Sequence, residues 1–167
     1  GFTLKVFAGF GQHNLKRDRL EKSNISKYGF DGRLFIPVMR SALVIGNNSG
    51  LILADTLYKN EMYRIGGEES LRGVSDRSIF ASAYSTWSIE YRWLYEKFSN
   101  LYLFVDYTWL SNSSTLKKMA ERYAIGGGIH LNTKAGLIYV SYAMGNPLKK
   151  APDPSGGIIH IGLISRF

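Results

Sequence analysis

The chain contains no cysteine, so neither a disulfide framework nor a thiolate metal site is available to it. It has no run approaching the 18 apolar residues that a membrane-spanning helix requires. It begins at Gly1 with strand-like residues and no basic segment leading into an apolar stretch. No targeting signal is therefore legible, and the chain reads as mature, trimmed or a fragment. Apolar spacing at a period of 3.6 is missing almost everywhere, which removes helical fold classes. Catalytic signatures are missing too. Ser, His and Asp occur, but in no G-x-S-x-G elbow. Gly126-Gly127-Gly128 is not followed by the Lys-Ser/Thr of a phosphate loop. His13, His130 and His160 lie on separate segments without metal-ligand spacing. We expect no enzyme, no cofactor and no metal.

What the sequence does have is charge, aromatics and alternation. Lys and Arg exceed Asp and Glu by 21 to 13, a net charge of +8. Such a balance suits nucleic acid, an anionic membrane surface or acidic ligands. The basic residues are scattered over loops and segment ends without a stacking platform, which argues against nucleic acid. Lys149, Lys150 and the stretch Lys16 to Lys22 suit lipid head groups better. Aromatic residues make up 14% of the chain, with 11 Tyr, 9 Phe and 3 Trp. The length of 167 residues is that of a single domain, 1–167.

The apolar period is two. Phe2 to Phe10 alternates as a first strand, and Lys16 to Lys22 reads as a charged loop. A second strand carries Tyr28, Phe30, Leu34 and Ile36 on one face and is expected to end at Pro37, which cannot donate to a ladder. A third runs from about Arg40 to Ala54, where Gly46 to Gly50 is either mid-strand or a hairpin turn. Ala81 to Tyr95 places Trp87, Ile89, Tyr91 and Trp93 opposite Thr86, Ser88, Glu90 and Arg92. The next strand sets Leu101, Leu103, Val105, Tyr107 and Trp109 against Tyr102, Phe104, Asp106 and Thr108. Ser111 to Lys118 is a polar loop, Glu121 to Thr133 and Gly136 to Gly145 are strands, and Lys149 to Gly157 is turn-rich. Gly156 to Phe167 is the last strand, where Gly156, Gly157 and Gly162 weaken the ladder.

About eight strands of this length match a bilayer core, which needs about 9–11 tilted residues per strand. A soluble sandwich would bury the apolar face, whereas a membrane barrel shows it to lipid and lines its lumen with the polar one. Period alone leaves both open. Strand length, Trp and Tyr near strand ends and polar residues in mid-strand favour the barrel. The expected fold is an all-β, antiparallel transmembrane β-barrel portion of about eight strands with a long inward-folding loop, 55–80. That loop holds Arg64 to Arg77, fourteen residues with three glycines and six charged side chains and no periodicity of its own.

Several segments resemble one family. Gly66-Gly67-Glu68-Glu69-Ser70-Leu71-Arg72-Gly73 is similar to the G-G-x-x-S-[VL]-R-G-[FY] loop of the BamA-like outer-membrane assembly and translocation barrels. Ser88 to Arg92 resembles that family's acidic strand, and Phe104-Val105-Asp106 its F-x-D-x-G strand. Gly126 to Gly128 with Thr133 and Gly136 resembles its third-from-last strand. A last strand with Gly162 and terminal Phe167 resembles its targeting signal. The resemblance runs in order from Arg64 to Phe167. Val74, Thr108 and Ser165 depart from the usual aromatic, glycine and hydrophobic residue.

The resemblance implies that the loop turns into the lumen and that Arg72 meets Glu90 and Asp106 as a structural latch, with Gly66, Gly67, Ser70, Leu71 and Gly73 shaping the turn. The residues alone equally allow a solvated Arg72. The implied role is insertion or translocation of outer-membrane client proteins, non-enzymatic, in the bacterial outer membrane. Client strands would add at a weak seam. The alternative is a membrane anchor or passive pore for a partner domain absent from this chain. The implied partners are the lipid bilayer and client proteins. The family's usual barrel is wider and preceded by periplasmic domains, and none of those is legible here. Eight closed strands leave room only for side chains, so a latched loop implies a wall completed by a second copy (a homodimer) or by N-terminal strands missing from this sequence.

Overall fold

A computed structural model describes residues 1–17, 19–96, 98–112, 119–134, 136–147 and 154–164. Eight long strands form one antiparallel sheet: β1 (Phe2–Arg17), β2 (Arg19–Val38), β3 (Ser41–Ala54), β6 (Ala83–Leu94), β7 (Asn100–Ser111), β8 (Met119–Thr133), β9 (Gly136–Pro147) and β10 (Ile158–Ile164). Their order in the sheet is their order in the chain. Two short strands, β4 (Tyr63–Ile65) and β5 (Ile79–Ala81), pair with each other between β3 and β6. Among the described residues there is no α-helix, and a single 3₁₀ turn, Pro154–Gly156, precedes β10. No helix is long and apolar enough to cross a membrane. The fold is all-β and antiparallel, as alternation predicts.

The two faces of the sheet separate cleanly. Trp87, Ile89, Tyr91 and Trp93 on β6 and Leu101, Leu103, Val105 and Tyr107 on β7 point outward and are exposed. The registers align Trp87, Tyr107 and Tyr123 in one row and Ile89, Val105 and Ile125 in the next. An aromatic row bounding an aliphatic band is what a lipid-facing barrel wall requires. The opposite face is concave. Asp31 and Arg33 of β2, Glu90 of β6, His130 of β8 and Ile164 of β10 line one cavity of about 390 Å³. The sheet thus rolls far enough for its second and last strands to share a lumen. Among the described residues no ladder joins β1 to β10.

Three boundaries differ from the sequence expectation. Lys16 to Lys22 is not a loop at the level of the backbone. The β1–β2 ladder continues through it, with Lys16 opposite Leu20 and Arg17 opposite Arg19. Ladders are made by backbone groups, and a hairpin that extends past an apolar band has no apolar face to keep. Gly46 to Gly50, open to two readings in the sequence, is mid-strand, because β3 runs unbroken between β2 and β6. Its glycines serve close approach. A Cβ at Gly46 would meet Ser88 Oγ at 2.5 Å, and one at Gly50 would meet the Tyr84 ring at 2.6 Å. The second strand passes Pro37 by one residue and turns at Met39, whose φ is 52°.

The last strand begins at Ile158 rather than Gly156. Gly162 lies beneath the Tyr139 ring, so an aromatic side chain covers the gap that its missing side chain leaves. Ser165 and Phe167 fall outside the described residues, as do Lys149, Lys150 and most of the loop after Ser111.

Candidate functional site

The 55–80 loop enters the lumen on a two-stranded stem. Tyr63 pairs with Ala81 and Ile65 with Ile79. Buried Ile65 and Ala81 form a small core with Leu110 of β7, flanked by Tyr63, Ile79 and Tyr84. The stem is also tied to β2, where Tyr63 donates its hydroxyl to the Tyr28 carbonyl at 2.8 Å and Lys27 donates to the Glu61 carbonyl at 2.6 Å. Apolar burial fixes the base, and the tip is then free to be polar.

The tip is shaped by glycine. Gly66, Gly67 and Gly73 have φ of 122°, 90° and 70°, a region that other residues adopt only under strain. Ser70 clips the turn: its hydroxyl accepts the Gly66 N–H at 2.8 Å and lies 3.1 Å from the Gly66 carbonyl. Leu71 is fully buried. Gly73 lies backbone to backbone against Gly145 of β9, close enough that a Cβ on either would clash. Both glycines are therefore required by one contact.

Arg72 is 4% exposed and meets charge on two neighbouring strands. Its Nε and Nη2 donate to the two carboxylate oxygens of Asp106 at 2.8 and 2.5 Å. Its Nη1 donates to Glu90 Oε1 at 2.8 Å. The fork to Asp106 uses the planar geometry that distinguishes a guanidinium from an ammonium. Glu90 is shared, because its other oxygen accepts from Arg92 Nε at 2.8 Å. Burial by itself lowers the pKa of Arg72. The hydrogen bond and charge of Asp106, then Glu90 and Glu68, more than reverse that, so the guanidinium stays charged.

Further contributors have roles that sequence reasoning did not assign. Glu68 accepts from the Ser141 hydroxyl at 2.6 Å and from the Tyr102 hydroxyl at 3.1 Å, which fastens the loop to β9 and β7. Phe104 lies beneath Arg72, with the guanidinium carbon 3.5 Å from its ring centroid. This ring lies against Gly126, where a Cβ would approach Phe104 Cζ to 2.7 Å. Tyr102 lies likewise over Gly128. Gly126 and Gly128 of β8 are thus a flat floor for two aromatic rings, and the arginine rests on the first. A signal existed in the sequence, since Phe104 is an aromatic residue on the polar face two positions before Asp106.

The structure brings together Gly66, Gly67, Ser70, Leu71, Arg72 and Gly73 of the loop with Glu90 and Asp106 of the wall. Gly162 lies apart on β10, and Phe167 is outside the described residues. His130 stacks on Tyr102 at 4.5 Å, and no group of His, Asp and Glu among the described residues is placed to hold a metal. The arrangement is a clasp of three carboxylates (Glu68, Glu90 and Asp106) around two guanidiniums. It offers no nucleophile–base pair.

No curated protein matches the chain. The family description "Omp85 superfamily domain" matches residues 3–167, nearly the entire sequence. That family comprises outer-membrane proteins of assembly and translocation, in Gram-negative bacteria or organelles. With that extent of match over an all-β sheet carrying an inward arginine loop, the chain belongs to the Omp85 superfamily.

Proposed function

We propose that this protein assists insertion or translocation of outer-membrane proteins in the bacterial outer membrane, without bond chemistry. The observation that carries this reading is the loop seated in the lumen by Arg72 on Asp106 and Glu90. A loop held this way sets the curvature of the central wall and leaves the edge strands free of it. Clients then add strands at an edge through backbone pairing. In this reading Gly66, Gly67, Ser70, Leu71, Arg72 and Gly73 form the latch, with Glu90 and Asp106 as its lumenal partners.

The wall in this reading is wider than eight strands. A 26-residue loop and a shell of strand side chains together exceed the interior of a closed eight-stranded barrel, and open edges are not tolerated in lipid. A second copy of the chain, or further strands of a longer chain, completes it.

Reconstitution into liposomes tests the role. The protein should accelerate folding of a urea-denatured outer-membrane client, and replacement of residues 66–73 by a short glycine linker should abolish the gain. Equal acceleration by both would remove the loop from the mechanism, and acceleration by neither would leave only an anchoring role. Mass in detergent, corrected for bound detergent, tests the wall. A stable 18.8 kDa monomer with every strand paired within its own chain would defeat it.

A further inference from the structure

A polar patch interrupts the apolar outer face where β2, β3, β6 and β7 meet. Asn47 and Ser49 of β3 face outward, opposite Trp87 and Ser85 of β6. The row Phe30, Ser49, Ser85, Trp109 lies next to the aromatic row of Trp87 and Tyr107, on the side from which the 55–80 loop enters. Beyond it comes the row Tyr28, Leu51, Ala83. Small side chains among large rings leave a trough of about 320 Å³, lined by Ser49, Ser85 and Ala83 and by the rings of Tyr28, Phe30 and Trp109. Two of those rings lean away from the serines. A Cβ at Gly32 would meet Phe30 Cζ at 3.0 Å, and Tyr28 stands edge-on to Phe10 of β1 with 6.0 Å between centroids.

The polar groups of the patch close a ring of three hydrogen bonds. Asn47 Nδ2 donates to Ser85 Oγ at 3.0 Å, and Ser49 donates its hydroxyl to Asn47 Oδ1 at 2.7 Å. A serine has one hydrogen. The 2.8 Å contact between Ser49 Oγ and Ser85 Oγ is therefore bridged by the hydrogen of Ser85. The second amide hydrogen of Asn47 goes to the Thr86 carbonyl at 3.4 Å. Every donor of the ring is thus spent, while Ser49 and Ser85 each accept one hydrogen and keep one lone pair. Ser85 is only 8% exposed, on a face turned to lipid rather than to water. An acceptor left unpaired in such surroundings costs free energy.

We propose that this trough binds an acyl chain that carries a hydroxyl near its head-group end, supplied by a lipid of the bilayer. The chain lies between Phe30 and Trp109, and its hydroxyl donates to the lone pairs that Ser49 and Ser85 keep. The depth fits. Aromatic rows mark the membrane interface, so a trough one row beyond Trp87 and Tyr107 is level with the first carbons of a chain and not with its methyl end. An unsubstituted chain fills the same volume but leaves both acceptors unpaired. A charged head finds no counter-ion, because no ionisable acid or base lines the trough except the tyrosines. The trough opens on the face that lipid covers, so its occupant is drawn from the bilayer itself. The proposal rests on the membrane reading of the outer face and not on client insertion, so the two can fail separately.

The test is native mass spectrometry of the detergent-solubilised protein after incubation with phosphatidylcholine whose chains are either tetradecanoyl or β-hydroxytetradecanoyl. Wild type should retain the hydroxylated lipid about fivefold better, the worth of one hydrogen bond. Asn47→Leu, Ser49→Ala and Ser85→Ala together remove the whole ring, so no partner is orphaned, and this variant should hold the two lipids equally. Should it fail to fold, Leu51→Trp fills the trough without touching the ring and should likewise remove the preference. Equal retention of the two lipids by wild type would overturn the proposal, as would a preference that survives in either variant. So would a Leu51→Trp protein that passes from dimer to monomer with its preference intact, since the occupant would then be a second chain.

Discussion

The wall formed by β6 to β9 and the hairpin formed by β1 and β2 have the same alternation and comparable strand lengths, yet they are different materials. In the first, the lumenal face is packed: Tyr102, Phe104, Asp106, Thr108, Ser141 and Ala143 are all buried beneath the loop. In the second, the loop stem reaches β2 at Tyr28 and Lys27, while the lumenal residues Thr3 and Lys5 of β1 stay exposed. Phe2 and Val6 are exposed outward and Phe7, on the lumenal face, is 51% exposed. Period two states only that the two faces differ. What lies behind a face decides whether a substitution there is felt.

The largest expected effect comes from breaking the clasp. Arg72→Ala leaves Asp106 as a buried charge without its partner and Glu90 with Arg92 alone, a change of about 3–5 kcal/mol. Urea unfolding in detergent, followed by heat-modifiable gel mobility, should show a large loss of stability while the far-UV signal keeps its strand character. An unchanged midpoint would place Arg72 in water. Arg72→Lys should recover only part of the loss, since an ammonium cannot form the fork to Asp106.

Next in size is the floor. Gly126→Ala drives a methyl group into the Phe104 ring and the Tyr142 carbonyl, and overpacking of this kind costs about 1–3 kcal/mol. Because Phe104 supports the guanidinium, this variant should also speed proteolysis within 64–77 relative to wild type. If the ring shifts freely, protease sensitivity will stay at the wild-type rate.

Ser141→Ala removes one hydrogen bond to the Glu68 carboxylate and should cost about 1.5–3 kcal/mol. Combined with Arg72→Ala it should cost less than the sum of the two, because both act through the seated loop. Strict additivity in that cycle would mean that Glu68 docks independently of Arg72.

The smallest effect belongs to the bare hairpin. Lys5→Ala, on an exposed lumenal position of β1, should fall within about 0.5 kcal/mol of wild type. A loss matching that of Ser141→Ala would show that something covers this face in the membrane. This result would sharpen the comparison, because it distinguishes a hairpin that is bare by nature from one awaiting a neighbouring wall.

Legibility in the sequence follows the same division. Strands with one apolar face, such as Ala83 to Leu94, are readable because lipid on one side and polar groups on the other impose the alternation. The ends of the β1–β2 hairpin were unreadable, because beyond an apolar band no environment writes a pattern into the residues. Gly46 and Gly50 left strand and turn both open for another reason. A glycine serving close approach looks the same in sequence as a glycine serving a turn. Arg72, Glu90 and Asp106 were legible through family motifs, whereas Glu68 was not. Its partners Tyr102 and Ser141 lie 34 and 73 residues away and form no local signal.

Those separations bear on the order in which the structure can form. Each hairpin from β6 onward closes over neighbouring residues and can arise early, since short loops are the least costly to close. The loop's contacts reach forward along the chain, 18 residues to Glu90, 34 to Asp106 and 73 to Ser141. Arg72 therefore has no destination until β6 and β7 exist, and Glu68 has none until β9 is laid beside β8. The segment that occupies the middle of the molecule is among the last to settle, and until then its charged tip stays in water. Seating the loop is thus a report that the strands after it are in register.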